Sequence, residues 1–261
     1  MIELIYDEAL KAMDLLIERG IKPDAIIADI PFGTTKCKWD NIIPFPEMWE
    51  RIELLRKPDT AVVLFGKEPF SSTLRVSNIK NYKYDWIIEK TSATGFLNSK
   101  IMPMSAHEKV HVFYKNNYCP QKTTGHKRKV SSASHKRNCV KTENYNDHGL
   151  TSYDSTERFP RSVLKFKWDK QKSSLHSTQK PLKLGEYLIK TYSSEGGLIL
   201  DFTMGAGFIP RACNKLNRNC IGIDNGKCTK ETSEYFNMNW KDVVEDLIKK
   251  DNTMSDGEYY I

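Results

Sequence analysis

A chain of 261 residues with 39% hydrophobic content and 28 aromatic side chains can build one sizeable core or two small ones, which excludes a wholly disordered polymer. No stretch nears the roughly 18 apolar residues of a membrane helix, and the N-terminal MIELIYDEAL lacks the basic and apolar regions of a secretion signal. Forty basic against 33 acidic residues give a net charge of +7, and six scattered cysteines (Cys37, Cys119, Cys139, Cys213, Cys220, Cys228) with no CxxC pair predict a reducing, cytoplasmic compartment.

In chain order, residues 25–30 (AIIADI) form a short apolar run, the mark of a buried parallel strand. Residues 45–56 place Trp49, Ile52 and Leu55 at helical spacing, with Pro44 and Pro46 suited to a helix start. Residues 60–66 (TAVVLFG) read as a second buried strand, 67–77 as a helix, and 84–89 and 109–115 as strands. A polar, basic stretch then interrupts the rhythm. It resumes with a helix at 182–193, a strand at 197–201, a helix at 208–216, a strand at 219–224 and a helix from 229, ahead of a polar tail at 251–261. Strands followed by helices predict an α/β, Rossmann-like, doubly wound and mostly parallel sheet.

The charge is uneven. Residues 120–175 hold thirteen basic and five acidic groups, a net of +8, and the remaining 205 residues sum to −1. Composition alone leaves two readings open: a solvated loop, or a surface that meets a polyanion.

Two stretches carry chemistry. In GLILDFTMGAG (197–207), Gly205 and Gly207 stand where a buried strand turns into a helix, and the next strand ends in Asp224. Small residues at such a turn admit a ligand to the backbone, and an acid at the next strand end suits ribose hydroxyls. The bland alternative is a tight turn closing a βαβ unit. In ADIPFGTT (28–35), Asp29 exits a buried strand and is followed by a proline-stiffened turn and Phe32. An acceptor beside an aromatic ring can hold a flat heterocycle that bears an amino group; the alternative is a capped strand exit with Phe32 in the core.

Together these residues resemble the beta subgroup of amino-group DNA methyltransferases, which use S-adenosylmethionine. Asp29-Ile30-Pro31-Phe32 resembles that family's Asp-Pro-Pro-Tyr motif, with Gly33-Thr34 and Trp39-Asp40 downstream. His176-Ser-Thr-Gln-Lys-Pro181 resembles its His-Pro-Thr-Gln-Lys-Pro box, residues 200–207 its cofactor loop, and Ile221-Gly-Ile-Asp224 its ribose-binding strand end. The order of motifs is that of the beta subgroup, and the likeness runs from about Tyr6 to Phe236.

The resemblance implies methylation of an exocyclic amine on a flipped base. Asp29 and the Ile30 carbonyl would accept the amine hydrogens and Phe32 would stack. Asp201, Phe202, Gly205, Gly207 and Asp224 would hold the cofactor, with Thr178 and Lys180 toward its carboxylate end and Asp7 toward its adenine. It implies a catalytic half at 1–118, a target-recognition insert at 119–175 with Lys127, Arg128, Lys129, Lys136 and Arg137 meeting DNA, and a cofactor half at 176–250. It also leaves a homodimer open. Asp29 rather than serine favours adenine N6 over cytosine N4. Ile30, Phe32, Ser177 and Phe208 depart from the family pattern, so a catalytically silent DNA-binding or regulatory relative is the alternative.

His107-Glu-Lys-Val-His111 matches the zinc motif HExxH literally. That motif requires a helix. Here it runs into strand-like alternation, where residues four apart lie ~13 Å apart and cannot share one metal. The His and Cys residues of the basic stretch have no ligand spacing, so no metal site is expected.

Overall fold

The structure, a computed structural model, describes residues 1–35, 37, 40–132, 152–166, 180–226 and 228–238. The tail at 251–261 lies outside them. The chain divides into two compact units. Residues 120–161 form one; residues 1–119 and the described residues from 162 onward form the other.

The larger unit is built on an eight-stranded sheet. Its strands are β1 (Ile2–Ile5), β2 (Ala25–Ala28), β3 (Ala61–Gly66), β4 (Tyr82–Thr94), β5 (Ser105–Phe113), β8 (Val163–Lys165), β9 (Leu198–Asp201) and β10 (Asn219–Ile223). The order is β1-β10-β9-β2-β3-β5-β4-β8. Only the β3–β5 and β5–β4 pairings are antiparallel, so the sheet is mostly parallel.

Alternation of side chains sorts the strands into two apolar layers. Ile26, Ala28, Val62 and Leu64 face one side, against α1 (Ala9–Glu18), α2 (Phe45–Leu55) and α3 (Phe70–Ser77). Ala25, Ile27, Val63 and Phe65 face the other, against α4 (Leu182–Tyr192) and α5 (Phe208–Lys215). A last helix, α6 (Cys228–Tyr235), follows β10. Both faces of β2 and β3 are therefore buried, which is why those strands read as unbroken apolar runs.

Three features of the eight-stranded sheet differ from the sequence reading. β1 was not predicted: at four residues it is too short to show a period, and it becomes a strand by pairing with β10. β4 extends to Thr94 although its second half is polar, because that half is largely unburied and is held by register with β5 (Thr94↔Ser105). Residues 163–165, grouped by sequence with the basic insert, pair in parallel with β4 (Ile88↔Leu164).

The smaller unit is a two-stranded antiparallel ribbon, β6 (Lys129–Ser131) with β7 (Tyr153–Ser155). The Arg158 guanidinium ties it together by donating to the carbonyls of Ser155 and Glu157 and to the Tyr153 hydroxyl. Among the described residues, no helix is long and apolar enough to cross a membrane.

Candidate active site

Strand order reverses between β9 and β2: the chain runs from β2 outward to β3 on one side and from β9 outward to β10 on the other. In such sheets the crevice at the carboxyl ends of the two central strands is the ligand site. Four neighbouring strands each finish in an acid at that edge. Asp7 follows β1, Asp224 follows β10, Asp201 ends β9 and Asp29 follows β2. A row of carboxylates on one edge favours a ligand or side chain that brings positive charge.

The protein supplies one such charge itself. Lys180, just before α4, is buried, and its Nζ lies 3.1 Å from Asp29 Oδ2 and 2.8 Å from Glu108 Oε2. Lys90 Nζ sits 2.9 Å from the other Glu108 oxygen. The four groups form a chain of alternating charge, Asp29–Lys180–Glu108–Lys90. Burial alone would lower the Lys180 pKa, but the Asp29 and Glu108 charges outweigh it and hold the ammonium above its ordinary value. Burial likewise works to raise Glu108, yet Lys180 and then Lys90 bring it down to about 2. The Lys180 ammonium also lies 5.3 Å from the centre of the Phe65 ring and 5.9 Å from that of Phe32. The resemblance assigns Lys180 to a cofactor carboxylate; here its charge is directed at Asp29 and Glu108.

Ile30 is buried in the core. Pro31 and Phe32 are half-buried, and the Phe32 ring packs on Phe70 with centroids 5.2 Å apart.

On the β9 side, Gly207 adopts φ +70° and caps α5. A Cβ there would come within 2.6 Å of Thr232, so glycine is required on both counts. Gly205 (φ +49°) instead opens onto free space, and its amide donates to Asp224 Oδ2 at 3.0 Å. Asp224 Oδ1 accepts from Gly226 N–H at 2.7 Å. Asp201 Oδ1 accepts from Thr203 N–H at 3.2 Å, while Oδ2 is buried with no hydrogen-bond partner among the described residues. Burial raises the Asp201 pKa well above its ordinary value against the Thr203 amide hydrogen bond, and the nearby Asp29 and Asp224 charges push the same way as burial. Phe202 is buried. Asp7 Oδ1 caps the amide of Glu8 at 2.8 Å.

Phe208, the bulky departure from the family loop, turns into the core. It is 5% exposed and meets Phe65 edge-on at 5.8 Å. Pro210 falls in the first turn of α5, where no intrahelical N–H is lost.

In the ribbon unit Lys127, Arg128 and Lys129 are exposed. Arg128 is paired with Asp154 through two bonds of 2.8 and 2.6 Å, whereas Tyr153 anchors the loop through its hydroxyl to the Glu157 carbonyl. Lys136, Arg137 and Thr178 lie outside the described residues, as do Trp39, Tyr145, His176 and Ser177.

Three residues of the site have no role assigned from sequence: Lys90, Glu108 and Asp40. Glu108 falls within HExxH but has no role assigned to it from sequence; that stretch lies on β5, with His111 buried and bonded to Ser71 Oγ at 2.9 Å. Asp40 was quoted within a motif but given no role. Its carboxylate accepts the amides of Phe32, Gly33, Thr34 and Thr35.

The mostly parallel sheet, switch-point glycine loop and strand-end acids define a methyltransferase-type fold. Residues 23–235 match the family model described as N6/N4 DNA methylase, and the chain belongs to that family of amino-group DNA methyltransferases. It is 27% identical to the type II methyltransferase M.HpaI of Haemophilus parainfluenzae, over 90% of this chain and 72% of that protein. Among solved structures, the M1.HpyAVI–SAM complex superposes with a TM-score of 0.62 at 21% identity, covering 91% of this chain and 100% of that one. The cytosine-N4-specific PvuII DNA methyltransferase also gives 0.62, at 12% identity over 94% of this chain and 90% of its own.

Proposed function

We propose that the chain transfers a methyl group from S-adenosylmethionine to the N6 amine of an adenine flipped out of DNA. The observation that carries this reading is Asp29, a partly exposed carboxylate at the switch point, fixed by a buried lysine and followed by a half-buried aromatic ring. An exocyclic amine is a poor nucleophile because its lone pair is delocalised into the ring. Asp29 and the Ile30 carbonyl would accept its two N–H groups and turn the lone pair out of conjugation, while Phe32 would stack on the base. Ile at position 30 suffices for this, since the group required is main-chain.

The residues on the β9 and β10 side fit the cofactor. The Asp201 oxygen with no partner among the described residues suits an ammonium, the open face at Gly205 suits a close backbone approach, and Asp224 suits ribose hydroxyls. Thr178 would join this set by resemblance. Asp7, Phe202 and Gly207 would frame it. Bound S-adenosylmethionine supplies the electrophilic methyl group. With Phe208 packed in the core, its bulk does not argue against binding. Isothermal titration with S-adenosylmethionine tests the reading: saturable one-site heat is expected, and none would leave the catalytically silent alternative.

Within the basic insert, Lys127, Arg128, Lys129, Lys136 and Arg137 would meet DNA phosphates. Arg128 is the weakest contributor, because Asp154 already compensates it. Replacing Lys127 and Lys129 by glutamine should reduce the slope of log K against log salt by about 2 in a filter-binding series. An unchanged slope would return the segment to a solvated loop. The chain's reducing-compartment cysteines agree with a cytoplasmic site of action.

A further inference from the structure

We infer that Asp40 is a positioning residue for methyl transfer, one that holds the Asp29–Phe32 turn in its working shape. This inference rests on the proposed role of that turn. Asp40 is 7% exposed, and its carboxylate accepts from four successive main-chain amides: Phe32 and Gly33 donate to Oδ1 at 2.9 and 2.8 Å, Thr34 and Thr35 to Oδ2 at 2.9 and 2.7 Å. Successive amides converging on one anion make a concave nest, a geometry that fixes several peptide planes with a single side chain. No strand or helix orders residues 29–35, so these bonds stand in for one.

The first donor is the amide of Phe32 itself. Asp40 thereby fixes the peptide that joins Pro31 to the stacking ring, next to the Ile30 carbonyl. Gly33 permits the turn at φ +64°, where a Cβ would crowd Ile42 at 2.9 Å. Although burial opposes it, hydrogen bonds from the Thr35 hydroxyl and the Gly33, Thr35 and Phe32 amides hold Asp40 below its ordinary pKa. The carboxylate thus stays ionised at neutral pH, as the nest requires. Its neighbours in this arrangement are main chain and Thr35, so its effect reaches the reaction through Phe32 and Ile30.

Asp40→Asn tests this. The variant keeps the shape but turns an NH2 group toward two amide donors. In single-turnover methylation of unmethylated mixed-sequence DNA, the rate at saturating cofactor should fall about 100-fold. The Kd for S-adenosylmethionine, read by calorimetry, should stay within about twofold, because the cofactor residues lie on other strands. A rate within twofold of wild type would overturn the inference. So would a parallel loss of rate, cofactor affinity and thermal stability, which marks a merely structural residue. Should Asp40→Asn fail to fold, Asp40→Glu decides by the same two readouts, since its extra methylene displaces the nest while keeping the charge. Failure of the underlying reading is distinguishable: wild-type protein would then neither bind cofactor nor transfer methyl, and the inference falls with it.

Discussion

Asp29→Ala is expected to lower methyl transfer by on the order of 1000-fold or more while leaving the cofactor Kd nearly unchanged. The separation follows from where the groups stand. Asp29 follows β2, whereas Asp201, Gly205, Gly207 and Asp224 belong to β9, β10 and the turns beyond them. Removing the Asp29 carboxylate deletes the proposed acceptor for the amine but none of the proposed cofactor contacts. The fold should survive, because the Asp29 side chain is 24% exposed and Lys180 retains Glu108 as a partner. Single-turnover transfer and calorimetry on the same preparation separate the two effects. Undiminished transfer would mean that the amine acceptor lies elsewhere.

Lys180→Met is expected to cost on the order of 2 kcal/mol of stability at pH 7, together with most of the activity, because it removes the buried cation between Asp29 and Glu108 and leaves Glu108 with Lys90 alone. The pH dependence follows from the direction of each shift. Glu108, depressed from 4.5 to about 2, contributes stability that is complete above pH 4.5 and is lost as pH falls toward 2. Lys180, raised above 10.5, contributes stability that is complete below that value and is lost only as pH rises through its higher folded pKa. Between those limits the charge chain is intact. Urea unfolding of wild type and variant should therefore show a constant gap from pH 5 to 8 that narrows below about pH 4.5. A gap that stays constant down to pH 3 would contradict an ionised Glu108–Lys180 pair.

The sheet centre was legible because its strands are buried on both faces: residues 25–28, 61–66, 198–201 and 219–223 carry apolar runs bounded by turns. β1 was not, since its identity as a strand depends on β10, far away in sequence. The two main site motifs were legible because each pairs a strand end with a small or stiff turn. Lys180 was located by its motif, but its partner was hidden. Glu108 reaches it only through the pairing of β5 with β3 and β4, and no local spacing announces that. Asp40 was hidden for a related reason: four amides of different residues meet one carboxylate only after the turn closes. Phe208 shows the limit of motif comparison, because a residue that looks intrusive beside a cofactor loop turns out to fill the α4–α5 layer beneath it.

Incubation of wild-type protein with labelled S-adenosylmethionine and unmethylated mixed-sequence DNA, followed by nucleoside analysis, tests the central claim most directly. Label in N6-methyladenine, absent with Asp29→Ala, is the expected result. Label in N4-methylcytosine would contradict the choice of base, and no label with cofactor bound would contradict catalysis itself.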